Sequence, residues 1–159
     1  MSKRVTRDVA ISEIMQSLRR IFKAIQDYSH EVSDKFGITG PQLWTLKTIS
    51  QNENLSLSDL SQRMYLHPST ITGLIDRLEK KGYVVRNRDQ VDRRMISVQL
   101  TPKGKSLTRK APNPVQGKMI YGLRNLNREE LDSIYHSFQE LVEIMEAQNV
   151  KVTFFFDQD

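Results

Sequence analysis

The sequence predicts a mainly helical domain with one small β-hairpin, in the order α-α-α-α-β-β-α-α. Three observations support this fold class. Apolar residues recur every three or four positions over most of the chain, the period changes to about two between residues 83 and 101, and Gly and Pro stand where one segment changes to the next. The 159 residues are enough to bury the core of a single domain spanning 1–159.

Residues 8–36 are expected to form the first and longest helix. Gly37 follows the last apolar position, where a left-handed residue commonly ends a helix. A stripe of this length exceeds what one small lobe can cover, so the sequence favours a dimer. The apolar stripe consists of Ile11, Ile14, Leu18, Ile21, Phe22, Ile25, Tyr28, Val32 and Phe36.

Capping signals mark the next three helices. Residues 39–42 (TGPQ) and 56–59 (SLSD) are capping boxes, and Pro68 suits the first turn of a fourth helix that Gly82 ends. The third and fourth helices are short and are joined by a tight turn at residues 65–67. This is a helix-turn-helix arrangement.

Residues 83–88 and 95–101 alternate in the manner of strands and flank the charged segment 89–94, which predicts an antiparallel hairpin with a cationic loop. A fifth helix opens at residues 101–102, and Pro112 and Pro114 must interrupt it. A capping box at 113–116 is expected to restart this helix, and another at 127–130 to open the last one.

Positive charge is concentrated in one part of the chain. The net charge is +5, but residues 60–110 hold 12 Lys and Arg against 4 Asp and Glu, a local balance of +8. The remainder, with 12 basic and 15 acidic residues, carries −3. Such a segment favours a polyanionic partner, most simply nucleic acid, although charge alone fits a solvated basic face equally well.

The helix that starts at Pro68 has small polar residues on the side opposite its apolar stripe. Small side chains let a helix backbone approach the major groove, hydroxyls bond phosphates or base edges, and N-terminal amides favour a phosphate. The alternative is a polar capping turn on a surface helix, but the cationic hairpin that follows favours DNA. The residues of this helix predicted to contact DNA are Ser69, Thr70, Thr72, Gly73 and Arg77.

The hairpin adds four arginines to the same surface. Arginine at a loop tip suits the minor groove, where narrowing over A·T pairs concentrates negative potential. A carboxylate opposes phosphate binding, so Asp92 is expected to orient a neighbouring arginine by a charge-assisted hydrogen bond. An ordinary solvated turn is the alternative. The residues of the hairpin predicted to contribute to DNA binding are Arg86, Arg88, Asp92, Arg93 and Arg94.

Residues 55–107 resemble the MarR family of bacterial winged-helix transcription regulators. The resemblance lies in the run PSTITGLIDRLEKKGYV, in the acid–Arg–Arg at 92–94, and in the LT-x-x-G motif of Leu100, Thr101 and Gly104. It implies a helical protein with a small β wing, and a homodimer that represses transcription from a palindromic operator. The DNA-binding lobe would span 53–110, and the helices at 8–36 and 111–149 would form the dimer.

The same resemblance gives the site residues their roles. Gly73 stands where many members of the family carry arginine, so one phosphate or base contact of the family is absent at this position. By motif position the recognition helix carries Ser69, Thr70, Thr72 and Arg77, and the wing carries Arg93 and Arg94 with Asp92 as their brace.

Two further hypotheses concern a ligand and a protein partner. MarR-like dimers often hold a small aromatic or anionic ligand between the dimerisation helices and the DNA-binding lobe, and such a ligand would release the DNA. Core packing explains the aromatic and apolar residues that could line this pocket more economically. A stress or ligand sensor that uses its winged helix mainly for protein–protein contact is the alternative, and the +8 segment argues against it. The pocket residues are Phe22, Tyr28, Trp44 and Met119.

An enzyme finds no support in the sequence. There is no nucleophile motif, no phosphate-binding glycine motif and no ligand spacing for a metal around His30, His67 or His136, so neither a cofactor nor a metal is expected. The absence of cysteine excludes disulfides and thiol-based redox sensing. No apolar run approaches the roughly 18–20 residues of a spanning helix, so no membrane partner and a cytoplasmic location are expected. Three phenylalanines at 154–156 are expected to pack on the partner subunit, with a disordered remnant as the alternative.

Overall fold

The computed structural model describes residues 5–52, 54–88 and 96–150, and within them the chain forms seven helices and three strands. The predicted order is confirmed, with a short additional strand and with the expected interruption of the fifth helix. None of the described helices is both long and apolar enough to span a membrane. The elements are α1 (Arg7–Phe36), α2 (Gly40–Ser50), β1 (Leu55–Ser56), α3 (Leu57–Met64), α4 (Pro68–Lys80), β2 (Val84–Arg88), β3 (Ile96–Leu100), α5 (Pro102–Lys110), α6 (Val115–Arg124) and α7 (Arg128–Ile144).

The three strands form one antiparallel sheet with β3 between β1 and β2. Val84 pairs with Leu100 at the base of the hairpin, and Arg88 pairs with Ile96 at the end that leads to the loop. The strand β1 was not predicted because two residues are too few to show an alternating pattern. The hairpin itself is confirmed.

One hydrophobic core lies between α2, α3, α4 and the sheet, and α1 adds only the C-terminal part of its stripe. The apolar side of α4 is packed into this core, because Ile71, Leu74, Ile75 and Leu78 are each at most 2% exposed. A helix buried on one stripe presents its opposite side to solvent. The core therefore fixes which face of α4 is available to a partner.

The helix ends mostly follow the predicted signals. Capping boxes are present at Thr39, Ser56 and Asn127, and Gly37 ends α1 in the left-handed conformation with φ 65°. The capping box predicted at 113–116 is wrong. Pro114 itself occupies the N-cap position of α6, and because its ring has no oxygen it makes no side-chain cap.

The terminal helices leave apolar surface uncovered in the single chain. No residue of α6 or α7 is buried, and α1 buries only Ile25, Tyr28 and Val32. Apolar side chains left exposed together along several helices are typical of an interaction surface. Side chains that are 37–54% exposed on these helices include Ile14, Ile21, Phe22, Met119, Ile134 and Phe138.

Candidate nucleic-acid interface

The helix α4 is capped by His67. Its Nδ1 accepts a hydrogen bond from the backbone N–H of Ser69 at 3.3 Å and lies 2.7 Å from the Ser69 hydroxyl. An Nδ1 that accepts in neutral imidazole leaves the ring proton on Nε2. His67 is exposed and therefore adds a hydrogen-bond donor at the start of α4, a contribution that the sequence analysis did not include.

The small polar residues predicted on α4 lie on its solvent side. Ser69 and Thr72 are exposed and Thr70 is half-buried. The Thr72 hydroxyl donates to the carbonyl of Pro68 at 3.0 Å, so its oxygen keeps only an acceptor role toward a partner. At Gly73 a Cβ would meet no atom within 4 Å, which leaves open backbone in the middle of this face.

Arg86 ties strand β2 to α4. Its Nη2 donates to Asp76 Oδ1 at 2.5 Å, and its Nη1 and backbone N–H both donate to the carboxylate of Glu79. Burial alone would lower the pKa of Arg86, but the hydrogen bonds to Asp76 and Glu79 raise it above its ordinary value. The side chain is only 22% exposed, and its single positive charge offsets one of the two negative charges of Asp76 and Glu79. This placement favours a positioning role for Arg86 over the predicted DNA contact.

The other charged residues predicted to contribute to DNA binding divide into those that the structure describes and those that it does not. Arg77 on α4 and Arg88 at the end of β2 are exposed. Arg88 lies two residues after Arg86 and so on the same face of the strand, nearer to the loop. The predicted wing residues Asp92, Arg93 and Arg94 lie outside the described residues, and their roles stay predictions.

The LT-x-x-G motif fixes the base of the hairpin. The Thr101 hydroxyl donates to the carbonyl of Gly82 at 2.7 Å and accepts from the backbone N–H of Gly104 at 3.1 Å, where it caps α5. A Cβ at Gly104 would overlap the carbonyl oxygen of Tyr83. The motif therefore holds the start of α5 against the turn between α4 and β2, through the Thr101 hydroxyl and the absence of a side chain at Gly104.

A contact between α6 and the helix-turn-helix was not predicted. Tyr65 ends α3 in the left-handed conformation with φ 54°, and Arg124 at the end of α6 donates to its hydroxyl at 3.2 Å. The guanidinium also lies 5.7 Å from the Tyr65 ring centre, within cation–π range. Sequence patterns give no signal for a pair 59 residues apart.

The four residues predicted for a ligand pocket are divided between core and surface. Tyr28 and Trp44 are 6% and 8% exposed, whereas Phe22 and Met119 are 48% and 54% exposed. The buried hydroxyl of Tyr28 has no hydrogen-bond partner among the described residues. Its pKa is raised, mainly by burial and to a smaller extent by the nearby Glu31 carboxylate. Within residues 5–52, 54–88 and 96–150, no cluster of His, Asp and Glu is arranged to hold a metal.

Comparisons with known proteins agree with this geometry. The sequence profile of the MarR family matches residues 38–96. The HTH-type transcriptional repressor MdtR of Bacillus subtilis is 31% identical over 147 residues, which are 91% of this chain and 95% of MdtR. The crystal structure of YusO from Bacillus subtilis is 30% identical with a TM-score of 0.54, covering 87% of this chain and 99% of YusO.

A further solved structure shares the fold at lower identity. FabT of Streptococcus pneumoniae, crystallised in complex with DNA, superposes with a TM-score of 0.59 at 22% identity, covering 86% of this chain and 97% of FabT. The relatives with higher identity are helix-turn-helix transcription regulators rather than enzymes. The chain therefore belongs to the MarR family of winged helix-turn-helix, DNA-binding transcriptional regulators.

Proposed function

We propose that this regulator is a homodimeric repressor that binds a palindromic operator in double-stranded DNA. The observation that carries the proposal is the solvent face of α4, where small residues and open backbone at Gly73 stand beside exposed cations. Arg86 pairs with both carboxylates of the helix and its positive charge offsets one of their two negative charges, which reduces their repulsion of phosphates at this face.

Each protomer would contact DNA through two elements. The helix α4 would enter the major groove, where its small side chains let the backbone approach the base edges. The loop between β2 and β3 would reach the adjacent minor groove, with Asp92 orienting an arginine. The proposed contacts are Ser69, Thr70, Thr72, Gly73 and Arg77 from α4, and Arg88, Arg93 and Arg94 from the hairpin.

The dimer would be built from the helices outside the DNA-binding lobe. The lobe would span 53–110, and residues 8–36 and 111–149 would form the interface. The uncovered apolar faces of α1, α6 and α7 support this arrangement, because a second chain would remove them from water. Two-fold symmetry would place the two α4 helices on half-sites about 10 base pairs apart, or a multiple of that.

A small aromatic or anionic ligand that releases the DNA is a second proposal. Two buried polar atoms, the Tyr28 hydroxyl on α1 and Gln116 Oε1 on α6, lack hydrogen-bond partners among the described residues. Buried polar groups are normally paired, so a ligand or the partner chain could satisfy them. Phe22, Trp44 and Met119 would complete the pocket. As a DNA-binding regulator, the protein would act in the cytoplasm, where a bacterial chromosome lies.

Selection of genomic fragments by the purified protein tests the proposal. We expect enrichment of fragments that share a palindromic sequence, with affinity falling by about 0.9 log units per log unit of salt for each phosphate contact. A protein that uses its winged helix only for protein–protein contact would enrich no sequence. Thermal shifts with phenolic acids, measured on the same preparation, test the ligand proposal separately.

A further inference from the structure

The protein has a cavity of about 560 Å³ that the proposed DNA contacts do not use. It lies between the end of α2, the C-terminal part of β3 and α5. Its lining includes Leu100, which pairs with Val84 at the base of the hairpin. The other end of the hairpin, where Arg88 pairs with Ile96, is about 14 Å away for four residues of strand at about 3.4 Å each. The volume falls in the range of small-molecule sites, roughly 300–1,000 Å³.

Two cations stand at this cavity. Lys105 and Arg109 are one helical turn apart on α5, so their Cβ atoms are roughly 5–6 Å apart. Arg109 Nε donates to the Lys105 carbonyl at 3.3 Å, which leaves the two terminal amino groups of the guanidinium available. Neither cation forms an ion pair within the described part of the chain, and α5 contains no acidic residue. A phosphate group is an anion that such a lysine–arginine pair can bind, because the guanidinium matches two phosphate oxygens and the ammonium adds a second charge.

Three residues with side-chain amides, Asn52, Asn54 and Gln99, also line the cavity. Gln99 donates its amide N–H to Asn54 Oδ1, and Asn52 donates to the carbonyl of Thr48 at 3.1 Å. These bonds orient the amides and leave free the carbonyl oxygens of Gln99 and Asn52 and the amide N–H groups of Asn54. A lining with both donors and acceptors matches hydroxyl groups, which donate and accept in turn. Ile49 and Val98 also line the cavity, and both are buried.

The geometry points to a second binding site in this cavity, for a small phosphorylated metabolite with a hydroxyl-bearing body. The phosphate binds to Lys105 and Arg109, and the hydroxyl groups bind to Asn52, Asn54 and Gln99. This inference does not rest on the proposed function, because the binding can be measured without DNA.

Ribose 5-phosphate is the probe, and ribose and inorganic phosphate are its two matched halves. In an NMR titration of the ¹⁵N-labelled full chain, we expect ribose 5-phosphate to shift the side-chain amide signals of Asn52, Asn54 and Gln99. Each half should bind at least tenfold more weakly than the whole. The variant with Lys105→Gln and Arg109→Gln should also bind the probe at least tenfold more weakly. Lys110→Gln, an exposed cation of the same helix outside the cavity, should change the affinity less than twofold.

Several results would overturn the inference. They are shifts confined to α4, an absence of shifts, inorganic phosphate binding as tightly as ribose 5-phosphate, and unchanged affinity in the double variant. The double variant should also keep the operator affinity and its salt dependence. A salt slope lowered by about two would assign these cations to DNA instead and would contradict the site.

Discussion

Replacement of Arg86 by Gln distinguishes an arginine that holds the hairpin from one that touches DNA. The change removes hydrogen bonds to two carboxylates, each worth about 1.5–3 kcal/mol when well shielded. Asp76 and Glu79 are 51% and 40% exposed, so water replaces much of the lost interaction. We therefore expect the free energy of unfolding to fall by about 1–2 kcal/mol.

Two measurements on the same variant separate the roles. Urea unfolding gives the loss of stability, and operator binding at several salt concentrations gives the number of phosphate contacts. A positioning role predicts weaker binding with an unchanged salt slope, because no phosphate contact is lost. The matched control is Arg88→Gln on the same strand face, which should leave stability within about 0.5 kcal/mol and lower the slope by about 0.9.

The opposite pattern would refute this reasoning. If Arg86→Gln lowers the salt slope by about 0.9 while stability stays unchanged, Arg86 binds a phosphate, and its hydrogen bonds to Asp76 and Glu79 do not stabilise the fold. The sequence-based prediction for Arg86 would then be correct.

Substitutions at four other positions have defined outcomes. Gly73→Ala should raise the free energy of unfolding by about 1 kcal/mol, because the position is helical and a Cβ there would meet no other atom. Gly73→Arg should steepen the salt dependence of operator binding by about 0.9 if the new side chain contacts a phosphate. A loss of stability in either variant would contradict the open space at Gly73. Gly104→Ala should cost about 1–3 kcal/mol in thermal unfolding through overlap with a backbone carbonyl, and an unchanged melting temperature would count against that packing. His67→Ala should cost about 1 kcal/mol as a lost cap, with His67→Asn restoring most of it; equal stability of all three proteins would exclude the cap. Phe138→Lys should shift the protein to monomers in analytical ultracentrifugation, and a persistent dimer would place the interface elsewhere.

The sequence was sufficient for the parts of the fold that depend on local patterns. The stripe of α4, the capping boxes at Thr39 and Ser56 and the stop at Gly37 all follow from periodicity and from hydrogen bonds between residues three or four apart. These interactions are already encoded in neighbouring positions, so spacing alone reveals them.

Interactions between distant elements were not predictable in the same way. The bridge from Arg86 to α4 depends on how the hairpin turns back, so an arginine that looked available for DNA is held by two carboxylates. The contact of Arg124 with Tyr65 needs α6 to reach the helix-turn-helix, and β1 exists only because β3 pairs with it. The capping box predicted at 113–116 is wrong for a local reason, because the N-cap position is Pro114, whose side chain has no hydrogen-bond acceptor.

A hydroxyl-radical footprint on the selected operator tests the central claim, that two copies of α4 meet successive turns of one duplex. We predict two protected segments whose centres are about 10 base pairs apart, or a multiple of that, with two protomers bound per duplex. A single protected segment with one protomer bound, or protection that does not depend on sequence, would contradict it.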